Sequence, residues 1–299
     1  MEISFSKYQG TGNDFVMLDN LSGQYDTLTL DQIRYLCDRK LGVGADGLIK
    51  ISKDAKLDFN VEYFNSDGSQ SFCGNGARCS VAFAKTLGCL EEHTRFNAID
   101  GAHEARLTVD GRVHLEMLDV AGFEGGLRES RPAEEYGGLR EPRSASGDLE
   151  ISKTNTIEGN RGQRLSMPTD YIMDTGSPHY IRFIDAQDAP DIVEFGKEIR
   201  YSERFKEAGI NVNTVIELGP GTIHVATYER GVEDETLSCG TGVTACALAY
   251  MDKNEKDGEV TVSTKGGKLS VKGKRKGAGF EQVWLIGPAK KVFDGSIEV

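Results

Sequence analysis

Cys73-Gly74-Asn75-Gly76 and Cys239-Gly240-Thr241-Gly242 are the same phrase, Cys-Gly-x-Gly, written twice. The cysteines stand 166 residues apart (239 − 73) in a chain of 299. Each phrase opens a helix-like run. After Cys73, residues Ala77, Val81 and Ala84 recur at helical spacing and Gly88 is a natural stop. A cysteine at a helix start lies beside free N–H groups and the positive end of the macrodipole. Both favour the thiolate, so the two thiols are expected to be tuned toward neutrality. The glycines let backbone approach a ligand closely, and the same N–H groups can hold a carboxylate. As an α-proton leaves, charge moves onto that carboxylate, where one fixed donor is worth roughly 3 kcal/mol. Stereoinversion needs a base on one face of a carbon and an acid on the other. Two thiols, one ionised and one protonated, meet that need and exchange states at each turnover. Either cysteine alone reads as a packing residue. The second copy of the glycines, which packing does not require, favours function for the pair.

Working outward, three more landmarks repeat. Gly12 before Asn13-Asp14-Phe15-Val16 matches Gly176 before Ser177-Pro178-His179-Tyr180 (176 − 12 = 164). Tyr63 in Val61–Asn65 matches Tyr228 in Ala226–Arg230 (228 − 63 = 165), and Gly101 matches Gly267 (267 − 101 = 166). Near-constant offsets imply two homologous halves. The expected division is 1–119, carrying Cys73, and 120–287, carrying Cys239. Residues 121–166 read as a loop-like insertion in which Gly-Gly-Leu-Arg-Glu occurs at 125 and again at 137. The final segment, 288–299, is strand-like on both sides of Asp294-Gly295 and is assigned as a strand returning to the first half.

Within the first half the patterns are mixed. Ile3, Phe5 and Lys7 begin a strand, and Phe15 to Leu18 form another. Thr29-Leu30-Asp31-Gln32 is a capping box, with Ile33, Leu36 and Cys37 on one helical face. Leu57, Phe59, Val61 and Tyr63 alternate with polar residues as a half-buried strand. Ala105, Leu107 and Val109, then Asp110-Gly111, then Val113, Leu115 and Met117 predict a hairpin.

The formal net charge of −12 and pI near 5.0 argue against nucleic acid or anionic membrane as partner. No apolar run reaches the roughly 18 residues of a membrane span. The first residues lack a basic stretch followed by an apolar core, so a cytoplasmic location is expected. Six cysteines (37, 73, 79, 89, 239, 246) are then reduced thiols, with Cys37, Cys79, Cys89 and Cys246 as packing residues. There is no Cys-x-x-Cys, and the five histidines lie far apart, so neither a structural zinc nor any other metal is implied. The absent Cys-x-x-Cys also counts against a thiol redox protein. Gly42-Val43-Gly44-Ala45-Asp46-Gly47 fits G-x-G-x-x-G but follows a helix and precedes a strand, the reverse of a dinucleotide fingerprint. Cys73 to Arg78 is one residue short of a phosphatase loop, and the second half has no matching arginine.

Taken together, Gly10-Thr11-Gly12-Asn13-Asp14-Phe15, Gly42-Val43-Gly44-Ala45-Asp46, Phe64-Asn65-Ser66-Asp67-Gly68-Ser69, Cys73 to Arg78, Tyr228-Glu229-Arg230-Gly231 and Ser238 to Gly242 resemble the diaminopimelate epimerases. The resemblance covers nearly the whole chain apart from 121–166. It implies an α/β (α+β) fold of two pseudo-symmetric domains, each a curved mixed sheet or barrel around a central helix, with the site between them. It implies a cofactor-independent reaction interconverting LL- and meso-diaminopimelate, on the route to lysine and peptidoglycan, with Cys73 and Cys239 as the bases. Backbone at Gly74, Asn75, Gly240 and Thr241 would hold the reacting carboxylate. Asn13, Asn65, Asn211, Glu229 and Arg230 would bind substrate ammonium and carboxylate groups, and His179 would help set the thiols' protonation. The expected partner is a small amino acid, and a homodimer is left open.

Two positions depart from the family pattern. Ser177 stands where many members have Asn before Pro-His, and Gly47 where many have Gln. Ser177 keeps a hydrogen-bonding group, whereas Gly47 offers no side chain. The competing readings are a racemase of proline or hydroxyproline, and a non-catalytic amino-acid-binding protein. Arg230 and the asparagines favour a substrate with a second polar end. The cysteine pair, which binding alone does not need, favours catalysis.

Overall fold

A computed structural model describes residues 1–125, 156–158, 164–166 and 170–299. Strand Glu2–Gly10 pairs antiparallel with Asn13–Asp19, which runs parallel to Gly47–Ser52. Next come Phe59–Asn65 (antiparallel), His93–Ala98 (parallel), Gly101–Leu107 (antiparallel) and Arg112–Glu116 (antiparallel). The same sequence of pairings then recurs. Asp170–Asp174, Pro178–Phe183, Asn211–Gly219, Thr222–Glu229, Gly258–Thr264, Gly267–Lys276 and Gly279–Pro288 pair antiparallel, parallel, antiparallel, parallel, antiparallel, antiparallel. Arg112–Glu116 pairs with Gly279–Pro288, so both sets form one continuous sheet of 17 strands among the described residues. Repeated glycines share a backbone solution too. Gly12 and Gly176 have φ of 88° and 101°, and Gly101 and Gly267 have φ of 127° and 139°.

Each parallel pair needs a crossover, and helices supply it. Helix α1 (Leu30–Cys37) carries the expected Thr29–Gln32 capping box and buries Ile33, Leu36 and Cys37. Helix α2 (Gly74–Thr86) contacts strands across the whole first set, and Ala77, Val81 and Ala84 are buried against them. Helix α3 (Ile192–Arg200) is capped by the Asp191 carboxylate, which accepts from the N–H groups of Val193 and Glu194. Helix α4 (Gly240–Lys253) is the counterpart of α2. Every residue from Gly242 to Asp252 on it is buried, as suits a helix apolar on all sides. Each half of the sheet thus packs on one central helix, and the core lies between strands and helix. Cys79 and Cys246 are fully buried there. Among the described residues no helix is long and apolar enough to cross a membrane.

One expectation is corrected. The hairpin strand ends at Leu107, and Val109 is fully exposed. Thr108 closes a four-residue turn by hydrogen-bonding the Arg112 carbonyl and the Asp110 carboxylate, with Gly111 at φ 78°. That turn faces Val109 outward, and Met117 lies just beyond the second strand. Lys290–Glu298 is one strand, paired along Glu2–Gly10 with Phe5 opposite Gly295. Glycine is required because a methyl there would meet the Phe5 ring at 2.7 Å. The short strand Glu124–Gly125 pairs in turn with Asp170–Asp174. The second Gly-Gly-Leu-Arg-Glu and most of the 121–166 segment lie outside the described residues.

Candidate active site

Cys73 and Cys239 are the N-cap residues of α2 and α4. Both have extended backbone, and their carbonyls accept the first intrahelical bonds, from Ala77 at 2.7 Å and Val243 at 2.9 Å. The two helix starts abut. A methyl on Gly240 would lie 3.6 Å from the Gly74 Cα, so the Cys-Gly steps of the halves touch through glycine. The Asn75 amide bridges the junction, donating to the Ser238 carbonyl at 2.8 Å and to Asn13 Oδ1 at 3.3 Å. Cys73 Sγ donates to that same Asn13 oxygen at 3.5 Å and accepts from the Gly76 N–H at 3.5 Å. The Thr11-Gly12 turn, with φ of 53° and 88°, delivers Asn13 to this point. Asn13 is held from behind by Asp46, which accepts from its Nδ2 at 2.7 Å.

On the other side, Cys239 Sγ lies 3.4 Å from Thr241 Oγ1, and His179 Nε2 lies 2.9 Å from the same hydroxyl. The direction of this relay can be read. Asn213 Nδ2 donates to the Tyr180 carbonyl, which can only accept, and lies 3.1 Å from His179 Nδ1. Nδ1 is therefore the acceptor, Nε2 carries the proton and donates to Thr241, and the Thr241 hydroxyl is left to donate to Cys239. Thr227 Oγ1 fixes the far end by donating to Asn213 Oδ1 at 2.9 Å. His179 is fully buried. Burial, aided by Arg230, pushes it down to about 3, so it is a neutral donor near neutral pH.

The expected tuning of the thiols toward neutrality is not what their surroundings produce. Burial pushes Cys239 up to about 12, and the Glu229 carboxylate adds to it, against the Thr241 hydroxyl and the Gly242 N–H. Cys73 is also raised by burial, with Glu229 adding and the Gly76 N–H and Arg78 opposing. Desolvation outweighs the helix N-terminus at both sulfurs. Glu229, itself raised by burial, acts electrostatically on both thiols and so faces the junction.

A family model described as diaminopimelate epimerase matches residues 5–121 and 171–292. The chain belongs to the diaminopimelate epimerase family. A diaminopimelate epimerase of Flavobacterium psychrophilum is 38% identical over 294 residues, covering 97% of this chain and 98% of that protein. One from Chlorobaculum tepidum is 34% identical, covering 96% and 98%. The fold is shared more widely. A crystal structure of a phenazine biosynthesis protein of the PhzF family from Bacillus anthracis superposes with a TM-score of 0.67 at 14% identity, covering both chains fully. The mixed α/β fold expected from the sequence is thus the diaminopimelate epimerase fold.

The remaining predicted residues fall around the junction in two groups. Asn65 accepts from the Tyr63 hydroxyl at 2.7 Å and donates to Ser69 and Ser71, beside a small pocket lined by Tyr63, Ser71, Phe72 and Cys73. Asn211 accepts from the Arg230 N–H at 2.9 Å and donates to Ser177 Oγ at 2.8 Å, so Ser177 does retain a polar role. The exposed Arg230 guanidinium donates to the Ala208 carbonyl. At Gly47, where many diaminopimelate epimerases carry Gln, a Cβ would sit 2.4 Å from the Tyr63 ring and 2.5 Å from the Phe64 carbonyl. Tyr63 fills that space, and burial beside Cys73 and Asp46 keeps its phenol protonated as a donor to Asn65. Sequence reasoning missed Tyr63, Asn213 and Thr227. The signal for Asn213 was present: Asn211 and Asn213 share one face of an otherwise apolar strand.

Proposed function

We propose that this chain interconverts LL- and meso-diaminopimelate by proton transfer at one α-carbon between two thiols. The observation that carries the reading is the abutment of two cysteine-capped helix starts through Gly74 and Gly240 in a chain of this family. One sulfur, as thiolate, removes the α-proton from one face. The electron pair passes into the carboxylate, which the N–H groups at Gly74-Asn75 and Gly240-Thr241 hold in this reading. The other sulfur, as thiol, returns a proton to the opposite face, and the product leaves with the two protonation states exchanged.

The surroundings support an asymmetric division of tasks. Cys239 has a hydroxyl donor, Thr241, backed by a locked neutral histidine. Cys73 has the Gly76 N–H. Asn13, Asn65, Asn211, Glu229 and Arg230 then recognise the two amino-acid ends. Glu229, facing both thiols, pairs with the ammonium at the reacting carbon, and the exposed Arg230 fork takes a carboxylate. The division of the chain at about residue 119, with 288–299 returned to the first half, is consistent with the repeated strand pairings.

The test is turnover in D2O with LL-diaminopimelate, proline and lysine supplied separately. Meso product carrying one deuterium at the inverted carbon is expected from LL-diaminopimelate alone. Cys73→Ala and Cys239→Ala should each abolish inversion. Exchange confined to proline, or full activity in either alanine variant, would overturn the proposal.

A further inference from the structure

Arg78 is fully buried on α2, and among the described residues no carboxylate lies within ion-pairing distance of it. Its Nη2 donates to Asn75 Oδ1 at 2.9 Å and Thr11 Oγ1 at 3.3 Å, its Nη1 donates to the Gly74 carbonyl at 3.3 Å, and its Nε has no partner. Glycines border it: a methyl at Gly287 would meet a Leu269 methyl at 2.2 Å and lie 3.1 Å from Nε, and one at Gly10 would meet the Asn75 carbonyl at 3.2 Å and touch Nη2 at 3.4 Å. A buried cation without a counter-charge is costly, so the position calls for an anion from elsewhere.

The pseudo-symmetric partner shows what the guanidinium is not needed for. At the same offset of 166 (244 − 78) stands Thr244, fully buried, donating to the Gly240 carbonyl at 2.9 Å. An uncharged threonine thus satisfies the equivalent carbonyl in α4. The charge and the two further bonds of Arg78 have no counterpart there. Those bonds end on Asn75, whose amide crosses the junction, and on Thr11, which delivers Asn13 to Cys73.

We propose that Arg78 is a positioning residue whose buried charge favours the Cys73 thiolate over the Cys239 thiolate, and whose fork aligns Asn75 and Thr11 beneath the reacting centre. The proposal rests on the two-thiol reading. Its missing anion is the thiolate that the reaction generates. Among the described residues the groups that act on Cys73 include Arg78 and Cys79 on its own helix, Tyr63 and Glu229 from the flanking strands, and Cys239 across the junction. Arg78 is the cation of this set, and Glu229 opposes it.

The experiment reads the thiols directly rather than turnover, so it can fail while the epimerase reading stands. Iodoacetamide alkylation rates are followed against pH, with Cys73 and Cys239 resolved by peptide mass spectrometry. In the unaltered protein Cys73 should be alkylated with a lower midpoint than Cys239; equal or reversed midpoints overturn the proposal. Arg78→Met keeps length and loses charge, and should raise the Cys73 midpoint by about one pH unit or more while moving Cys239 less. An unmoved Cys73 midpoint in folded Arg78→Met overturns it. Should that variant not fold, Arg78→Lys decides. It keeps the charge and loses the fork, so the Cys73 midpoint must stay within about half a pH unit of the unaltered protein. A rise of a full unit there overturns the role of charge.

Discussion

Gly240 stands against Gly74 where the two helix starts meet: an added methyl would touch the Gly74 Cα at 3.6 Å, an ordinary contact, and press on a Leu285 methyl at 3.1 Å. Leu285 can yield, so Gly240→Ala should cost stability only modestly, about 1 kcal/mol. The methyl would nevertheless occupy the junction itself and displace Leu285, which packs against both glycines, by a few tenths of an ångström. A two-base proton transfer is sensitive to such displacements, so kcat should fall by about tenfold or more. Steady-state rates beside a thermal melt separate the two effects, and an unchanged kcat would mean that the junction tolerates slack.

Thr241 joins His179 to Cys239 through one hydroxyl. Thr241→Val keeps the shape and removes that group, leaving the buried Nε2–H of His179 without its acceptor and the Cys239 sulfur with the Gly242 N–H but no hydroxyl donor. The variant should lose stability by about 1–3 kcal/mol and lower kcat by about ten- to a hundredfold. Cys239 should become harder to ionise, shifting the alkaline side of its alkylation profile upward. A Val variant whose Cys239 profile coincides with that of the unaltered protein would remove the relay from the mechanism.

Much of this site was legible before any coordinates. The duplicated Cys-Gly-x-Gly phrase placed both thiols at helix starts because a helix needs an N-cap and because glycines beside a cysteine are not packing residues. The repeat offsets anticipated the recurring strand order, since homologous halves must bury the same periodic faces. What escaped detection depended on contacts between distant segments. Val109 kept the alternation of a strand, but Thr108 had a better local use for its hydroxyl in closing a turn. Thiol tuning was misjudged because a helix start is local whereas burial is not: the desolvation of Cys239 comes from both halves closing over it. Arg78 resembled a broken phosphatase loop in sequence. Only its complete burial and its bonds to Gly74, Asn75 and Thr11 show that it belongs to the junction.

His179 gives the protein a defined acid sensitivity. Its ordinary value of 6.5 is pushed down to about 3 in the folded chain by burial. Below 6.5 the unfolded chain takes up a proton that the folded chain refuses. Stability contributed by the neutral ring is therefore complete above 6.5 and is lost as pH falls toward 3, at up to about 1.4 kcal/mol per pH unit. Urea unfolding at pH 7.5, 6, 5 and 4 should show a shallower decline for His179→Gln than for the unaltered protein. The offset between the two curves reports lost packing, whereas their slopes report the proton. Parallel slopes would show that His179 is already protonated in the folded chain.

Tyr63 lies over Gly47, and its hydroxyl donates to Asn65 Oδ1 at 2.7 Å, which leaves the Asn65 Nδ2 to Ser69 and Ser71. The phenol thereby fixes the orientation of the Asn65 amide, next to the Tyr63 and Ser71 that line the pocket beside Cys73. Tyr63→Phe keeps the ring over Gly47 and removes only the donor. The free amide can then turn, so KM for LL-diaminopimelate should rise by about three- to tenfold, equivalent to about 1 kcal/mol, while kcat changes less than twofold. A fall in kcat with KM unchanged would instead place the phenol in the proton-transfer step. Gly47→Ala should be far more damaging than Tyr63→Phe, because the new methyl meets the Phe64 carbonyl as well as the ring, and backbone cannot swing aside as a side chain can.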